Sequence, residues 1–217
     1  MKSVIFDMDG VIVDSEYDHA IADIEALKRY GVMVDMDYVY RFVGTTITHM
    51  ADTIIKENHM SVSREELIAA FEEEKEKITA TSGYRPVEGT VELIHTLKER
   101  GHKLAIASSS TPVEIKKVTD FFHISDCFDE VVSGSYVKNP KPAPDIFLAG
   151  AKTLGVQPQE CLVLEDSRQG IVAAFAAGMT SVFVEDTIPK DDEMISCMNH
   201  EVNHLGEVID LFQKEYL

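Results

Sequence analysis

Apolar positions in this chain follow two patterns that alternate along most of its length. Short apolar runs rich in β-branched residues predict five strands, which lie at residues 3–7, 103–108, 130–133, 161–165 and 181–184. Apolar residues before and between the last four runs recur at helical spacing, as Val91, Ile94 and Leu97 do before a stop at Gly101. This alternation predicts an α/β fold, a parallel sheet with helices on both faces.

A long helical insertion interrupts the alternation. About 95 residues separate the first predicted strand from the second, many more than a strand–helix–strand crossover requires. Apolar residues within it recur at helical spacing, and Ser63 with Glu66 forms the sequence signature of a capping box. We therefore expect a small helical domain at residues 16–82, inserted into an α/β core domain made of residues 1–15 and 83–217.

Polar side chains follow three of the predicted strands at the point where each strand ends. A chain that winds outward from a central first strand by right-handed crossovers forms a doubly wound, Rossmann-like sheet with strand order 3-2-1-4-5. Such sheets bind ligands outside the carboxyl ends of the strands, where the winding reverses. The polar residues expected to meet there are Asp7, Asp9, Ser108, Glu165 and Asp166.

The four carboxyl groups in this set repel one another strongly unless some are protonated or a cation is bound between them. A hard divalent cation suits their oxygen ligands, and Mg²⁺ suits them best because it binds through one or two carboxylates, waters and a substrate phosphate. Asp166 and Ser167 also have a purely structural interpretation, as helix N-caps after the fourth strand. The combined pattern favours a Mg²⁺ site.

Lys141 stands just before a predicted helix whose first turn is prepared by Pro142 and Pro144. A cation at that position opposes the helix dipole, so an anion bound beside Lys141 explains it best. A metal ion, a lysine, hydroxyl groups and free strand-end amides together can hold a phosphoryl group.

The composition limits the classes of partner. The chain has 38 acidic and 20 basic residues among 217, a formal net charge of −18 that repels nucleic acid and anionic membrane surfaces. It has neither an N-terminal apolar run long enough for a signal peptide nor a segment near the ~20 apolar residues of a membrane span, so we expect a cytoplasmic location. Its three cysteines show no metal-binding spacing.

Four segments resemble the motifs of the haloacid dehalogenase superfamily. They are "DMDGV" at 7–11, "ASSS" at 107–110, "KPAPDIF" at 141–147 and "LEDSRQGI" at 164–171. The resemblance spans essentially the whole chain and is strongest to sugar-phosphate phosphatases and beta-phosphoglucomutases that carry a helical cap domain after the first motif. It implies a Mg²⁺-dependent phosphatase that hydrolyses a small phosphorylated sugar or polyol through an aspartyl-phosphate intermediate.

The resemblance also implies roles for single residues. Asp7 is the expected nucleophile, and Asp9 the expected acid that protonates the leaving oxygen and then acts as a base. This second aspartate argues against a dehalogenase, whose leaving group needs no proton. The expected metal ligands are the Asp7 carboxylate, the Asp9 backbone carbonyl, Glu165 and Asp166. The expected phosphate-binding residues of the core are Gly10, Ser108, Ser109 and Lys141.

Substrate choice is expected to lie in the cap domain. The segment 41–50 resembles a loop that contacts the substrate in relatives, which makes Gly44 and Thr45 candidate substrate-binding residues. His19 matches a position near the active site in relatives, and a plain surface histidine is an equally good interpretation. A beta-phosphoglucomutase that interconverts glucose 1-phosphate and glucose 6-phosphate is the alternative function. We expect a small phosphorylated metabolite as the partner and a monomer or weak dimer.

Overall fold

The computed structural model describes residues 3–42, 45–184 and 190–215. The chain forms two compact units. The α/β unit consists of Met1–Asp14 and Arg85–Leu217, and the helical unit consists of Ser15–Tyr84. Every helix within the described ranges is too short or too polar to cross a lipid bilayer.

One parallel sheet forms the centre of the α/β unit. Its strands are β1 (Ser3–Phe6), β2 (Leu104–Ser108), β3 (Glu130–Ser133), β4 (Cys161–Glu165), β5 (Thr180–Val184) and β6 (His200–Val202). They pair in the order β3-β2-β1-β4-β5-β6, and every pair is parallel. The predicted doubly wound fold and the order 3-2-1-4-5 are therefore confirmed.

The sixth strand was not among the predicted ones. β6 has only three residues, of which Val202 alone is buried, so its apolar pattern is too short to distinguish it from a loop. It extends the sheet beyond β5 and leaves β1 between β2 and β4. The central strands β1, β2 and β4 are buried at every position, as expected of parallel strands covered on both faces.

Four helices build the helical unit. They are α1 (Glu16–Arg29), α2 (Met36–Tyr40), α3 (Ile47–Glu57) and α4 (Arg64–Ser82). The predicted capping box is confirmed, because the Ser63 hydroxyl accepts from the Glu66 N–H while the Glu66 carboxylate accepts from the Ser63 N–H. Leu27, Leu67 and Phe71 are fully buried in a core that α1, α3 and α4 share.

The described part of the α/β unit contains six further helices. They are α5 (Thr90–Glu99), α6 (Pro112–Phe121), α7 (Asp145–Leu154), α8 (Arg168–Ala176), α9 (Asp192–Cys197) and α10 (Glu207–Glu215). Where the chain leaves and re-enters this unit, the Asp14 N–H donates to the Arg85 carbonyl at 2.9 Å, and Val13 pairs with Pro86 as an antiparallel bridge. The helical insertion therefore begins and ends at one place in the sheet domain.

Candidate active site

Three buried carboxylates converge at the carboxyl ends of β1 and β4. Asp7 directly follows β1, Glu165 is the last residue of β4, and Asp166 comes next. Phe6 lies opposite Leu164 in the β1–β4 register, which places the three groups side by side. One oxygen from each lies within 4.8 Å of those of the other two, and all three side chains are buried.

Lys141 completes this cluster from the loop that precedes α7. Its Nζ donates to Oδ1 of Asp7 at 2.8 Å and to Oε1 of Glu165 at 2.5 Å. Burial by itself lowers the pKa of Lys141, but the negative charges of Asp7 and Glu165 outweigh it and raise that pKa above its ordinary value. Lys141 therefore remains a cation, and the anions beside it include two carboxylates of the protein itself.

The charges in the cluster do not balance. Burial raises the pKa of the Asp7 carboxyl from its ordinary 3.8 to about 7; the charges of Glu165 and Asp9 add to this effect, whereas Lys141 opposes it. Three carboxylates against one ammonium leave a formal charge of −2 in a buried place. Hard oxygen ligands with this surplus of negative charge fit a divalent cation.

A second layer of residues fixes Glu165. Its Oε2 accepts from the backbone N–H of Ser167 at 2.7 Å and from the Ser167 hydroxyl at 2.8 Å. A Cβ on Gly170 would lie 1.7 Å from Oε1 of Glu165, so only glycine fits at that position in the first turn of α8. Sequence reasoning assigned neither residue to the site, because no local pattern reveals which side chain packs against a helix turn.

The N-cap residue of α8 is Ser167. Its hydroxyl accepts from the Gly170 N–H at 3.0 Å and caps α8. Asp166 is therefore not the N-cap, and its carboxylate belongs to the acidic cluster. Gly10 contacts the same carboxylate: it has φ +75°, and a Cβ there would lie 1.8 Å from Oδ2 of Asp166.

Asp9 lies in the turn that follows β1, and its carboxylate is not one of the three clustered groups. The Met8 carbonyl accepts from the N–H groups of Ile12 and Val13, which closes this turn. Oδ2 of Asp9 accepts from the Ser110 hydroxyl at 2.9 Å, so the carboxylate contacts the loop after β2. The atom of Asp9 predicted to bind metal is its backbone carbonyl, and proton transfer by its side chain stays a prediction.

Ser108 ends β2 and is fully buried. Its Oγ accepts from the Ser110 N–H at 3.0 Å, and a hydroxyl that accepts can still donate its proton. Ser109, the next residue, is exposed. The ends of β1, β2 and β4 therefore meet, and the structure brings together Asp7, Lys141, Glu165 and Asp166, with Asp9 bonded to the β2 loop.

The remaining predicted residues belong to the helical unit. His19 lies on α1 and is exposed, and its backbone N–H donates to the Ser15 carbonyl at 2.8 Å. Thr45 is exposed, and its hydroxyl donates to the Phe42 carbonyl at 2.7 Å. Gly44 lies outside the described residues. Substrate binding by these three residues stays a prediction.

Comparison with known families gives a match over most of the chain. The family model described as haloacid dehalogenase-like hydrolase matches residues 4–184. Fructose-1-phosphate phosphatase YqaB of Escherichia coli is 34% identical over 83% of this chain and 95% of its own length. A phosphorylated carbohydrates phosphatase of Thermotoga maritima is 30% identical over 84% of each chain.

Solved structures and longer relatives add to this picture. The crystal structure of a putative beta-phosphoglucomutase from Thermotoga maritima has a TM-score of 0.86 and 27% identity, and the match covers 99% of this chain and 100% of that one. Two relatives from Arabidopsis thaliana are much longer. The chain spans 18% of Protein SUPPRESSOR OF QUENCHING 1 and 54% of a bifunctional riboflavin kinase/FMN phosphatase.

Proposed function

This chain belongs to the haloacid dehalogenase-like hydrolase family, and we propose that it is a Mg²⁺-dependent phosphatase of a small phosphorylated sugar or polyol. The observation that carries this proposal is the buried cluster of Asp7, Glu165 and Asp166 with Lys141 bonded into it. The relatives named as phosphatases of fructose 1-phosphate and of phosphorylated carbohydrates support the substrate class.

The residues proposed to hold Mg²⁺ are Asp7, Glu165 and Asp166 through their carboxylates and Asp9 through its backbone carbonyl. The buried surplus of negative charge supports this set, since a divalent cation offsets it. When bound, Mg²⁺ withdraws electron density from a phosphoryl oxygen and so favours attack at phosphorus. Lys141 and the Ser108 hydroxyl are proposed to hold the other phosphoryl oxygens.

The first chemical step is phosphoryl transfer to Asp7. A carboxylate oxygen of Asp7 attacks phosphorus in line, and the bond from phosphorus to the ester oxygen breaks. The carboxyl proton of Asp9 passes to that oxygen, which leaves as the neutral alcohol of the sugar. Lys141 keeps its positive charge throughout, because its pKa is raised by the carboxylates beside it.

Hydrolysis of the aspartyl phosphate completes the cycle. A water molecule attacks phosphorus, its proton passes to the carboxylate of Asp9, and the bond from phosphorus to the Asp7 oxygen breaks. Inorganic phosphate leaves, Asp7 is again a carboxylate, and Asp9 is again protonated. One residue thus serves as acid in the first step and as base in the second.

A phosphoglucomutase is the second candidate, and the likeness to the putative beta-phosphoglucomutase of Thermotoga maritima favours it. In that reaction a sugar hydroxyl, in place of water, takes the phosphoryl group. The two functions differ in their products. A mutase converts glucose 1-phosphate into glucose 6-phosphate with little free phosphate, whereas a phosphatase releases phosphate in step with the alcohol.

The test is phosphate release from p-nitrophenyl phosphate and a panel of sugar and polyol phosphates, with Mg²⁺, with EDTA, and with Mg²⁺ restored after EDTA. We expect release that EDTA abolishes and Mg²⁺ restores. Failure to release phosphate from any substrate in Mg²⁺ contradicts the phosphatase. Formation of glucose 6-phosphate without matching phosphate release replaces the phosphatase by the mutase.

The contributions proposed for the helical domain at residues 16–82 rest on resemblance alone. We propose that His19, Gly44 and Thr45 contact the sugar, that the protein acts in the cytoplasm, and that it is a monomer or weak dimer. His19→Ala and Thr45→Ala are expected to raise the KM for a sugar phosphate more than that for p-nitrophenyl phosphate. Equal KM values before and after substitution count against these contacts.

A further inference from the structure

The hydroxyl of Ser110 contacts the residue proposed to move protons. Its Oγ donates to Oδ2 of Asp9 at 2.9 Å, although the two residues lie 101 positions apart in the chain. A hydrogen bond to one carboxylate oxygen restricts rotation of the whole carboxylate. Ser110 belongs to the run Ser108–Ser110, from which sequence reasoning assigned roles only to the first two serines.

The backbone of Ser110 is itself fixed from two sides. Its N–H donates to the Ser108 Oγ at 3.0 Å, and its carbonyl accepts from the Ser133 hydroxyl at 2.7 Å. The next residue, Thr111, starts α6 in a capping box with Glu114. Hydrogen bonds hold the main chain before, at and after Ser110, so the direction of its side chain is restricted.

Ser133, whose hydroxyl donates to the Ser110 carbonyl, is itself held in place. It is the last residue of β3, lies beside Ser108 in the strand register, and is only 1% exposed. Gly134 follows it, and a Cβ there would lie 3.0 Å from the Ser109 Cα, so the two backbones are in close contact. The end of β3 therefore buttresses the loop that carries Ser110.

We propose that Ser110 is a positioning residue that holds the Asp9 carboxyl group where it exchanges protons with the reacting oxygen, and that Ser133 supports Ser110 in this role. The inference rests on the proposed phosphatase function. It concerns the step in which the Asp7 oxygen–phosphorus bond forms, the phosphorus–ester oxygen bond breaks, and the Asp9 proton passes to the departing oxygen. Ser110 transfers no proton in this step.

The dependence on leaving group separates this role from a general structural one. A sugar alcohol leaves poorly as an alkoxide and needs the proton of Asp9, whereas p-nitrophenolate leaves without one. The ratio kcat/KM reports only steps up to the departure of the alcohol, so slow hydrolysis of the phosphoenzyme does not enter it. Loss of positioning should therefore lower kcat/KM for a sugar phosphate selectively.

The experiment compares kcat/KM of wild type, Ser110→Ala, Ser110→Thr, Ser133→Ala and Ser196→Ala on the best sugar phosphate and on p-nitrophenyl phosphate. We expect Ser110→Ala to lose up to about tenfold on the sugar phosphate, the upper end of the net contribution of one neutral hydrogen bond, and to stay nearly unchanged on p-nitrophenyl phosphate. Ser110→Thr keeps a hydroxyl and should recover most of the loss. Ser133→Ala should show a smaller loss of the same kind.

Ser196→Ala is the matched control, since Ser196 is exposed on α9 and its hydroxyl donates to the Glu193 carbonyl, and it should match wild type on both substrates. Equal losses of Ser110→Ala on both substrates, a raised KM with kcat unchanged, or no loss on either would overturn the positioning role alone. A wild-type protein that releases phosphate from neither substrate overturns the proposed function and this inference together.

Discussion

Asp7 and Asp23 are buried aspartates in different units of the molecule, and burial raises the pKa of each to about 7. A lysine opposes that rise in both places, but the contacts differ. Lys141 donates directly to Asp7 at 2.8 Å. Lys75 acts on Asp23 through its charge and forms its ion pair with Glu72 at 3.2 Å. Oδ1 of Asp23 has no hydrogen-bond partner among the described residues.

The same desolvation therefore has different consequences for the two carboxyl groups. Asp7 lies with two other carboxylates at strand ends, where a bound cation would offset its burial. Asp23 lies on α1 and, among the described residues, is the only buried polar side chain of the helical unit. The first carboxyl group is proposed to take part in the chemistry, whereas the second is expected to lower stability when it is ionised.

Replacement of the proposed nucleophile gives the largest expected effect. Asp7→Asn removes the attacking carboxylate with almost no change in shape, so we expect kcat for phosphate release to fall on the order of 10⁴-fold or more. Asp23→Asn, the same change in the other unit, is the control and should leave kcat unaltered. Comparable losses of kcat in the two variants would contradict a catalytic role that belongs to Asp7 and not to Asp23.

Asp9→Asn tests the separation of proton transfer from metal binding within the site. We expect kcat to fall by roughly 10²- to 10⁴-fold, because an amide cannot exchange the required protons. Mg²⁺ affinity, measured by calorimetric titration, should change little, since the proposed ligand from this residue is its backbone carbonyl. Phosphoenzyme should persist longer after an acid quench, and a large loss of Mg²⁺ affinity would contradict this division.

Gly170→Ala tests how rigidly the carboxylates are held in the α/β unit. Alanine normally stabilises a helix relative to glycine, but here the added Cβ would overlap the Glu165 carboxylate. Displacing Glu165 by about 1 Å should cost up to about 100-fold in kcat/KM. Gly150→Ala on α7 is the control, because its Cβ meets only the flexible tip of Ile5 at 3.2 Å. Full activity of Gly170→Ala would show a loosely held site.

The smallest expected effect concerns Asp23 and appears in stability alone. Its folded-state pKa of about 7 exceeds the ordinary 3.8, so the folded protein binds this proton more tightly than the unfolded chain does. Stability is therefore lost as pH rises from about 4 to about 7. The stability advantage of Asp23→Asn over wild type should grow by roughly 2 to 3 kcal/mol between pH 5 and pH 8.

Urea unfolding at the two pH values measures this change. Asp37→Asn, a substitution at an exposed position of α2, is the matched control and should show a stability difference from wild type that is the same at both pH values. An Asp23→Asn advantage that is constant with pH would show that the wild-type carboxyl group does not bear a burial penalty.

The fold was largely predictable because it depends on patterns within short segments. The apolar runs of β1, β2 and β4 are continuous, and Ser63 with Glu66 marks the start of α4. Each of these elements can therefore be recognised from its own residues. β6 was missed because three residues with one buried side chain are too few to show an alternating apolar pattern. Its place is decided by pairing with β5, which is a tertiary contact.

The residues of the candidate site were predictable from the sequence only in part. The clustered acids were predictable because strand ends of a doubly wound sheet meet by topology, whereas Lys141 was predicted from its position before a helix and from the motif resemblance. The contacts that hold them in place were not, since they join side chains by packing. Ser110 bonds Asp9 across 101 positions, and Gly170 is required only because Glu165 lies against it. Nothing next to either residue in the sequence signals those neighbours.

The hydrogen bond between Asp14 and Arg85 makes the helical unit modular. Since the chain returns to the place that it left, the catalytic sheet does not depend on the length of the excursion. An insert with its own core can be lengthened, shortened or exchanged at this junction while Asp7 and its neighbours keep their positions. The junction thus separates changes in the insert from the strand ends that carry the acidic cluster.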